Sequence, residues 1–391
     1  MDYAAYTTAD FDHSPLMFYY ETTTACDLVC KHCRASAQES ADPAQLNTEQ
    51  SKRLLSQIAQ FPKRPMVVLT GGDPLKRPDL MELIAHGRSA GLEMALTPSA
   101  TPLATREAFQ RVCAAGIRRL GISLDGPNAA AHDAFRGWEG SFERTKEMLL
   151  TARELGMAVQ INTTVCRRNV DLLDEMSEFL VPFDIAMWAL FFLIPVGRGH
   201  DEERIKAEEY ELVFEKLYRW SQTMPYAVKT TEAPHYRRFV MQRGGDPLAG
   251  PRQKSSIEQG AGRSEVRGQR SDLRPPTSDL DGSHRRGHRA PLGVSDGKGI
   301  MFVSHIGEIF PAGFLPICCG RFPNDNVVEV YQKHPVFLDL RTPSRFKGKC
   351  GVCEYNTICG GSRSRAYGVT GDALESEPDC LYVPEKLREP A

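Results

Sequence analysis

The sequence predicts an α/β fold with parallel strands inside and helices outside. Three observations lead there. Over residues 16–196, short apolar runs alternate with amphipathic stretches in six βα-type units. Three of the helix-like stretches stop at a glycine (Gly91, Gly116 and Gly156), the residue that most easily adopts the left-handed turn closing a helix. The chain has 391 residues, 41% hydrophobic and 25% charged, an ordinary globular composition with length for one large domain and a smaller one. Units of this kind build either an open parallel sheet or a barrel.

The strands are expected at 16–23, 66–72, 92–99, 117–126, 157–165 and 185–195, with helices between them at 48–61, 80–91, 106–116 and 141–156. Residues 202–222 carry a further amphipathic helix, and 225–243 lead away from it. The longest apolar run, Ile185–Val196, is too short to cross a membrane and reads as a buried strand with its exit. Residues 1–15 are polar and acidic, an N-terminal extension rather than a signal peptide. The composition breaks at 249–290, which is rich in Gly, Pro, Ser and basic residues and nearly free of large apolar ones. It reads as a disordered insertion, or a basic docking segment, within a linker at 244–298. Order returns at 299–314, where alternation around His305, Ile306, Gly307 and Glu308 predicts a β-hairpin that opens a second domain at 299–391.

Lys and Arg number 48 against 50 Asp and Glu, a net charge of −2, so the sequence offers neither a nucleic-acid footprint nor an attraction to an anionic membrane. Its eleven cysteines fall largely in tight, metal-type spacings with no targeting segment. That pattern fits iron–sulfur chemistry in a reducing cytoplasm better than disulfides.

Directly after the first strand come Cys26, Cys30 and Cys33, spaced C-x3-C-x2-C. Three thiolates leave one iron of a 4Fe–4S cubane without a protein ligand, open to a substrate or second cofactor. A structural zinc site would need a fourth Cys or His, and His32 is too close to Cys33 to serve. The position suits chemistry, since βα barrels carry their active sites on the loops after the strand C-termini. A second region, Cys350, Cys353, Cys359 and Cys380, has the thiolates for a complete 4Fe–4S cluster or for a zinc. Cys318 and Cys319 fall outside that pattern, and Cys113 and Cys166 read as core.

These motifs, in this order, resemble the radical S-adenosylmethionine superfamily, and the C-terminal cysteines resemble its SPASM/Twitch auxiliary-cluster extension. The resemblance covers the whole chain except the insertion. It implies a partial (β/α)6 TIM-like barrel over 16–243, followed by a small α+β SPASM/Twitch domain. It implies a cluster on Cys26, Cys30 and Cys33, whose open iron takes the amino and carboxylate groups of S-adenosylmethionine. Thr70, Gly71, Gly72, Asp73 and Pro74 match the family's Gly-Gly-Glu-Pro loop, which holds the methionine amino group; here Asp73 replaces the usual Glu. Ser123 and Asp125 match a family element beside the cofactor, and alternation puts them on one face of the strand end. Asn162 and Thr164 share a face of the fifth strand and are weaker cofactor candidates. Arg198 lies in a run resembling a family element near the adenine; it either contacts substrate or pairs with the acidic helix that follows.

Two-cluster members carry Cys where this chain has Ala312 and Ser362, so one auxiliary cluster is expected, on Cys350, Cys353, Cys359 and Cys380. Arg363 and Arg365 beside it are either ligands for substrate carboxylates or surface arginines. The run Cys30-x-His32-Cys33-Arg34-Ala35 and the C-terminal extension are most similar to the siroheme-dependent heme biosynthesis branch and to an uncharacterised sibling family. The implied activity is reductive cleavage of S-adenosylmethionine to a 5′-deoxyadenosyl radical, which takes a hydrogen atom from substrate. The substrate implied is a tetrapyrrole or similar carboxylated small molecule, the alternative being a ribosomally made peptide. A non-enzymatic iron–sulfur or zinc protein is the remote third reading. The electron donor implied is reduced flavodoxin or ferredoxin.

Overall fold

The computed structural model describes residues 6–247 and 293–388. The insertion expected over 249–290 lies outside the described residues. All six expected strands form: β1 (Met17–Thr23), β2 (Met66–Gly71), β3 (Glu93–Leu96), β4 (Arg119–Ser123), β5 (Ala158–Val165) and β6 (Met187–Phe192). Between them run α1 (Thr48–Ile58), α2 (Leu80–Ser89), α3 (Arg106–Ala114), α4 (Ala129–Arg136), α5 (Ser141–Glu154) and α6 (Leu173–Phe179). Periodicity marks neither α4 nor α6, nor β7 (Ala227–Thr231), which follows α7 (Ala207–Thr223) and precedes α8 (His235–Gln242).

The C-terminal part supplies β8 (Ile300–Val303), β9 (Glu308–Phe310) and β10 (Gly320–Arg321). It continues with α9 (Val327–Lys333), α10 (Pro335–Arg341), α11 (Gly348–Val352) and α12 (Arg363–Thr370). The expected hairpin is present as antiparallel β8 and β9, and β8 also pairs in parallel with β1. One ten-stranded sheet results, ordered β10-β9-β8-β1-β2-β3-β4-β5-β6-β7, with the run from β8 through β1 to β7 parallel. The sheet keeps two edges, so the barrel is partial.

Local chemistry explains the elements. At α1, Asn47 accepts from Gln50 N while the Gln50 side chain accepts from Asn47 N, a reciprocal cap. The helix then buries Leu54, Leu55 and Ile58 against the sheet. The main core lies between the helices and the outer face of the sheet, where Phe18, Tyr20, Val67, Leu69, Trp188, Leu190 and Phe192 project. Strand residues alternate, so Tyr19, Glu21, Thr70, Ser123, Asn162, Thr164 and Ala189 project to the inner face. Ahead of β1, Tyr6 and Phe11 pack on Leu16. No described helix is long and apolar enough to cross a membrane.

Candidate active site

The loop after β1 carries the first three cysteines and is closed on itself. Cys26 N donates to Gln38 O (2.6 Å) and Gln38 N to Thr24 O (3.0 Å). Cys26 and Cys30 are buried and pack with Leu28, Ala37 and Cys33 in one small cluster. Each sulfur has a donor: Leu28 N to Cys26 (3.4 Å), Ala37 N to Cys33 (3.4 Å) and Arg136 Nη1 to Cys30 (3.7 Å). Burial pushes the Cys26 thiol up to about 11, and burial also raises Cys30 against the opposing pull of Arg136. Thiolates here need a cation to hold them, as metal ligands do.

The glycine loop is stitched to the segment leading into Cys26. Gly72 N donates to Thr23 O (2.8 Å) and Asp73 N to Ala25 O (2.7 Å). The approach is so close that a Cβ on Gly72 would stand 2.4 Å from Ala25 O, and one on Gly71 2.2 Å from Thr23 O. The Asp73 carboxylate is fully buried and spent within the protein. It accepts from Thr101 Oγ1 (2.6 Å), Leu75 N (3.1 Å) and Ser99 N (3.3 Å), tying the β2 loop to the β3 loop.

Arg198 has a third role beyond the two expected. Its Nε donates to Cys30 O (2.9 Å), its Nη1 to Ala37 O (2.9 Å), and its backbone N to Cys33 O (3.0 Å), clamping the cysteine loop. Asp125 is buried; Oδ1 accepts from Thr164 N (2.7 Å) and Oδ2 forms an ion pair with Arg136. A chain therefore runs from Thr164 through Asp125 and Arg136 to the Cys30 sulfur. Arg136, on α4, has no sequence signal of its own. Ser123 and Asn162 are register partners on the inner face. Beside the loop, the His32 ring packs on Phe135 at a tilt (4.4 Å between centroids, 37° between planes), and burial together with Arg136 and Arg198 lowers its pKa well below the usual imidazole value. Thr24 Oγ1, His32 Nδ1 and Arg198 Nη2 are buried without a hydrogen-bond partner among the described residues.

Arg34 pairs with Glu21 (2.6 Å) and lies over Phe302 (4.5 Å). His305, in the turn of the C-terminal hairpin, bridges Glu21 (2.7 Å) and Asp42 (3.2 Å). This network ties the hairpin to the inner face of β1 and the cysteine loop.

Cys350, Cys353, Cys359 and Cys380 line one narrow cleft, together with Arg238, Lys349 and Gly361. Burial pushes the Cys380 thiol up to about 11 and raises Cys353 and Cys359. Backbone donors reach two of the sulfurs, Glu377 N to Cys350 (3.3 Å) and Gly361 N to Cys359 (3.4 Å). Among the described residues no three His, Cys, Asp or Glu side chains close tightly enough to hold one metal ion. A cubane sets its thiolates at separate corners, wider apart than a single zinc does.

Both readings of Arg363 and Arg365 are corrected: they are neither on the surface nor open to a substrate. Arg363 is buried, stacks on Phe346 (4.7 Å), and donates to the carbonyls of Ala373 (3.1 Å) and Glu375 (2.7 Å). Arg365 is fully buried against Glu377 (3.0 Å), Asp379 (3.1 Å) and Glu232 O (2.7 Å). Both brace the cleft. Ser362 caps α12, and Ala312 is buried in an apolar cluster. Cys319 lies in the core, Cys318 is exposed, and neither lines the cleft; Cys166 is buried against Phe135 and Leu193.

The radical SAM superfamily profile matches residues 20–180. An AdoMet-dependent heme synthase of Methanosarcina barkeri is 35% identical over 374 residues, covering 96% of this chain and 98% of that one. This chain belongs to the radical SAM superfamily. Mycofactocin maturase MftC of Mycobacterium tuberculosis is 28% identical over 372 residues, covering 94% of this chain and 83% of that one. The solved structure of native anSMEcpe with bound AdoMet shares the fold at a TM-score of 0.64 and 14% identity, covering 94% of each chain. As a radical SAM enzyme, the protein works with S-adenosylmethionine and a 4Fe–4S cluster. The site fits both. Three thiols, two buried and that of Cys33 half-buried, sit together beside a backbone loop, with partnerless polar atoms around them.

Proposed function

We propose that this radical SAM enzyme acts on a carboxylated tetrapyrrole of the heme pathway. The observation that carries the reading is its identity to a heme synthase, which runs almost end to end and so takes in both cysteine regions. The likeness to a peptide maturase is weaker over a similar span.

Cys26, Cys30 and Cys33 hold the S-adenosylmethionine-binding cluster, and Cys350, Cys353, Cys359 and Cys380 hold a second, fully ligated one. When bound, the first cluster and S-adenosylmethionine supply a 5′-deoxyadenosyl radical that removes a hydrogen atom from substrate. The chain's own residues position and shield that chemistry. Backbone carbonyls of Thr70, Gly71 and Gly72, on the loop that continues to Asp73 and Pro74, accept from the methionine ammonium in place of the buried Asp73 carboxylate. Ser123 and Asn162 contact the nucleoside from the inner face. Asp125, through Arg136, and Arg198, through the carbonyls of Cys30 and Ala37, fix the cysteine loop. The barrel over 16–243 and the auxiliary domain over 299–391 together exclude water from the reactive species. Cys350, Cys353, Cys359 and Cys380 would hold a group that supplies a site for electron transfer, with reduced flavodoxin or ferredoxin as the proposed donor in a reducing cytoplasm.

Anaerobic reconstitution should give about eight irons per chain, from two cubanes. Reduced enzyme with S-adenosylmethionine should release 5′-deoxyadenosine and consume iron coproporphyrin III. Cys30→Ala should abolish 5′-deoxyadenosine formation; retained cleavage would remove the first cluster from the reading. Cys359→Ala should lower the iron to about four per chain, and an unchanged iron content would remove the second.

A further inference from the structure

The inner face of the barrel ends in a cation that the reaction as described does not use. Trp188 and Phe192 of β6 pack outward on Trp220 and Tyr210 of α7, so Ala189 points inward. The register aligns Ser123, Asn162, Ala189 and Lys229 on adjacent strands β4 to β7. On β7, Val228 packs with the outer core, which leaves Lys229 on the inner face. Lys229 therefore shares a layer with Ser123 and Asn162, about 14 Å along the sheet from Ser123 at the usual strand spacing.

The Lys229 side chain is exposed on that face, and surrounding protein lowers its pKa. No described residue forms an ion pair with it. Lys298 Nζ stands 3.1 Å from where a Cβ on Gly293 would lie, next to the Val294 that Arg237 contacts, and the charge of Arg237 lowers the pKa of both Lys298 and Lys229. Arg237 spends its own donors on backbone, the carbonyls of Ile358 (2.9 Å) and Val294 (2.6 Å). Acidic groups nearby do not cancel the cluster. Glu232, at the exit of β7, accepts from Ser362, and burial beside Asp296 raises its pKa, which favours its uncharged form. The pull of Asp12 on Lys298 is outweighed by burial and Arg237. Cations gathered on one face with no salt bridge of their own repel one another and favour a bound anion. Ile358 adjoins Cys359, so this cluster lies between the inner face and the four-cysteine cleft.

We propose that Lys229, backed by Arg237 and Lys298, is the subsite that receives a carboxylate side chain of the tetrapyrrole. The assignment rests on the tetrapyrrole reading and adds the residue that orients the substrate in the barrel.

The test is equilibrium binding to the anaerobically reconstituted enzyme with S-adenosylmethionine present. The probes are iron coproporphyrin III, a tetracarboxylate, and its tetramethyl ester. Lys229→Gln should weaken binding of the acid about tenfold and leave that of the ester unchanged, while Lys229→Arg should keep most of the affinity for the acid. Equal affinity of Lys229→Gln and the wild type for the acid would overturn the subsite and leave the tetrapyrrole reading standing. Equal loss of acid and ester would also overturn it, since the effect would then not be carboxylate recognition. Failure of the wild type to bind either porphyrin would overturn both.

Discussion

The loop of Cys26, Cys30 and Cys33 is held mostly through main-chain groups, with one buried ion pair, Asp125 and Arg136, behind it, whereas the cleft of Cys350, Cys353, Cys359 and Cys380 is walled by a buried charge network. Around the loop, Gly72, Asp73, Cys26 and Gln38 exchange main-chain hydrogen bonds, and Arg198 acts on carbonyls. Around the cleft, Arg365, Glu377 and Asp379 form a buried ion network, and Arg363 braces the turn that precedes Glu377. On the proposed reading of the two cysteine sets, the difference follows from what each site must leave free. An open cluster position needs main chain close at hand, with small residues to allow the approach. A fully ligated site can be walled by side chains, provided that each buried charge keeps its partner.

The largest expected effect comes from breaking the charged wall. Arg365→Met would leave Glu377 and Asp379 buried without their shared partner, a loss of ~3–5 kcal/mol. Thermal unfolding should show it, and the iron content should fall from about eight to about four per chain. Substrate-independent release of 5′-deoxyadenosine should persist, because the loop does not depend on that wall. Loss of both activities together would break the comparison.

On the backbone side, Gly72→Ala would drive a Cβ to 2.4 Å from Ala25 O and 2.6 Å from Thr24 O. Overpacking of this kind costs ~1–3 kcal/mol and falls on the loop itself. Binding of S-adenosylmethionine, followed by equilibrium dialysis, should weaken about tenfold or more, with iron at the four-cysteine cleft unchanged. Wild-type affinity in this variant would show that the glycine loop is not part of the cofactor site.

The six strands were legible because each is an apolar run of usable length between turn signals. β7 was not, since Ala227–Thr231 contains a single large apolar residue, Val228, and offers little periodicity. The cysteines were legible from spacing alone. What spacing does not carry is where a polar side chain is spent. Asp73 stands in the motif position but turns inward to Thr101, and Arg198 meets carbonyls 161 and 168 residues earlier in the chain. Arg363 and Arg365 gave no sign of burial, because the partners of Arg365 lie 12 residues away and beyond, across a turn. Arg136 and His305 were missed for the same reason.

Two smaller effects sharpen the contrast. Arg198→Met would remove two hydrogen bonds from the loop carbonyls, a cost of ~1–3 kcal/mol, and should show as faster loss of the first cluster's iron to a chelator. The smallest effect lies in the His305 bridge between hairpin and loop. Burial alone would lower the His305 pKa, but hydrogen bonds to Glu21 and Asp42 outweigh it and raise the pKa above 6.5. A folded-state pKa above the unfolded one means that the bridge contributes its full stability below about pH 6.5 and loses it as pH rises through the folded value. Glu21 moves the other way: burial raises its pKa, yet Arg34 and His305 bring it below 4.5, so its contribution is lost only as pH falls through that lower value. Because Asp42 is partly exposed and screened, raising the pH from 6 to 9 should lower Tm by only about 2 °C more in the wild type than in His305→Gln. Parallel pH profiles for the two proteins would mean that the hairpin is held to the loop by its apolar contacts and strand pairing alone.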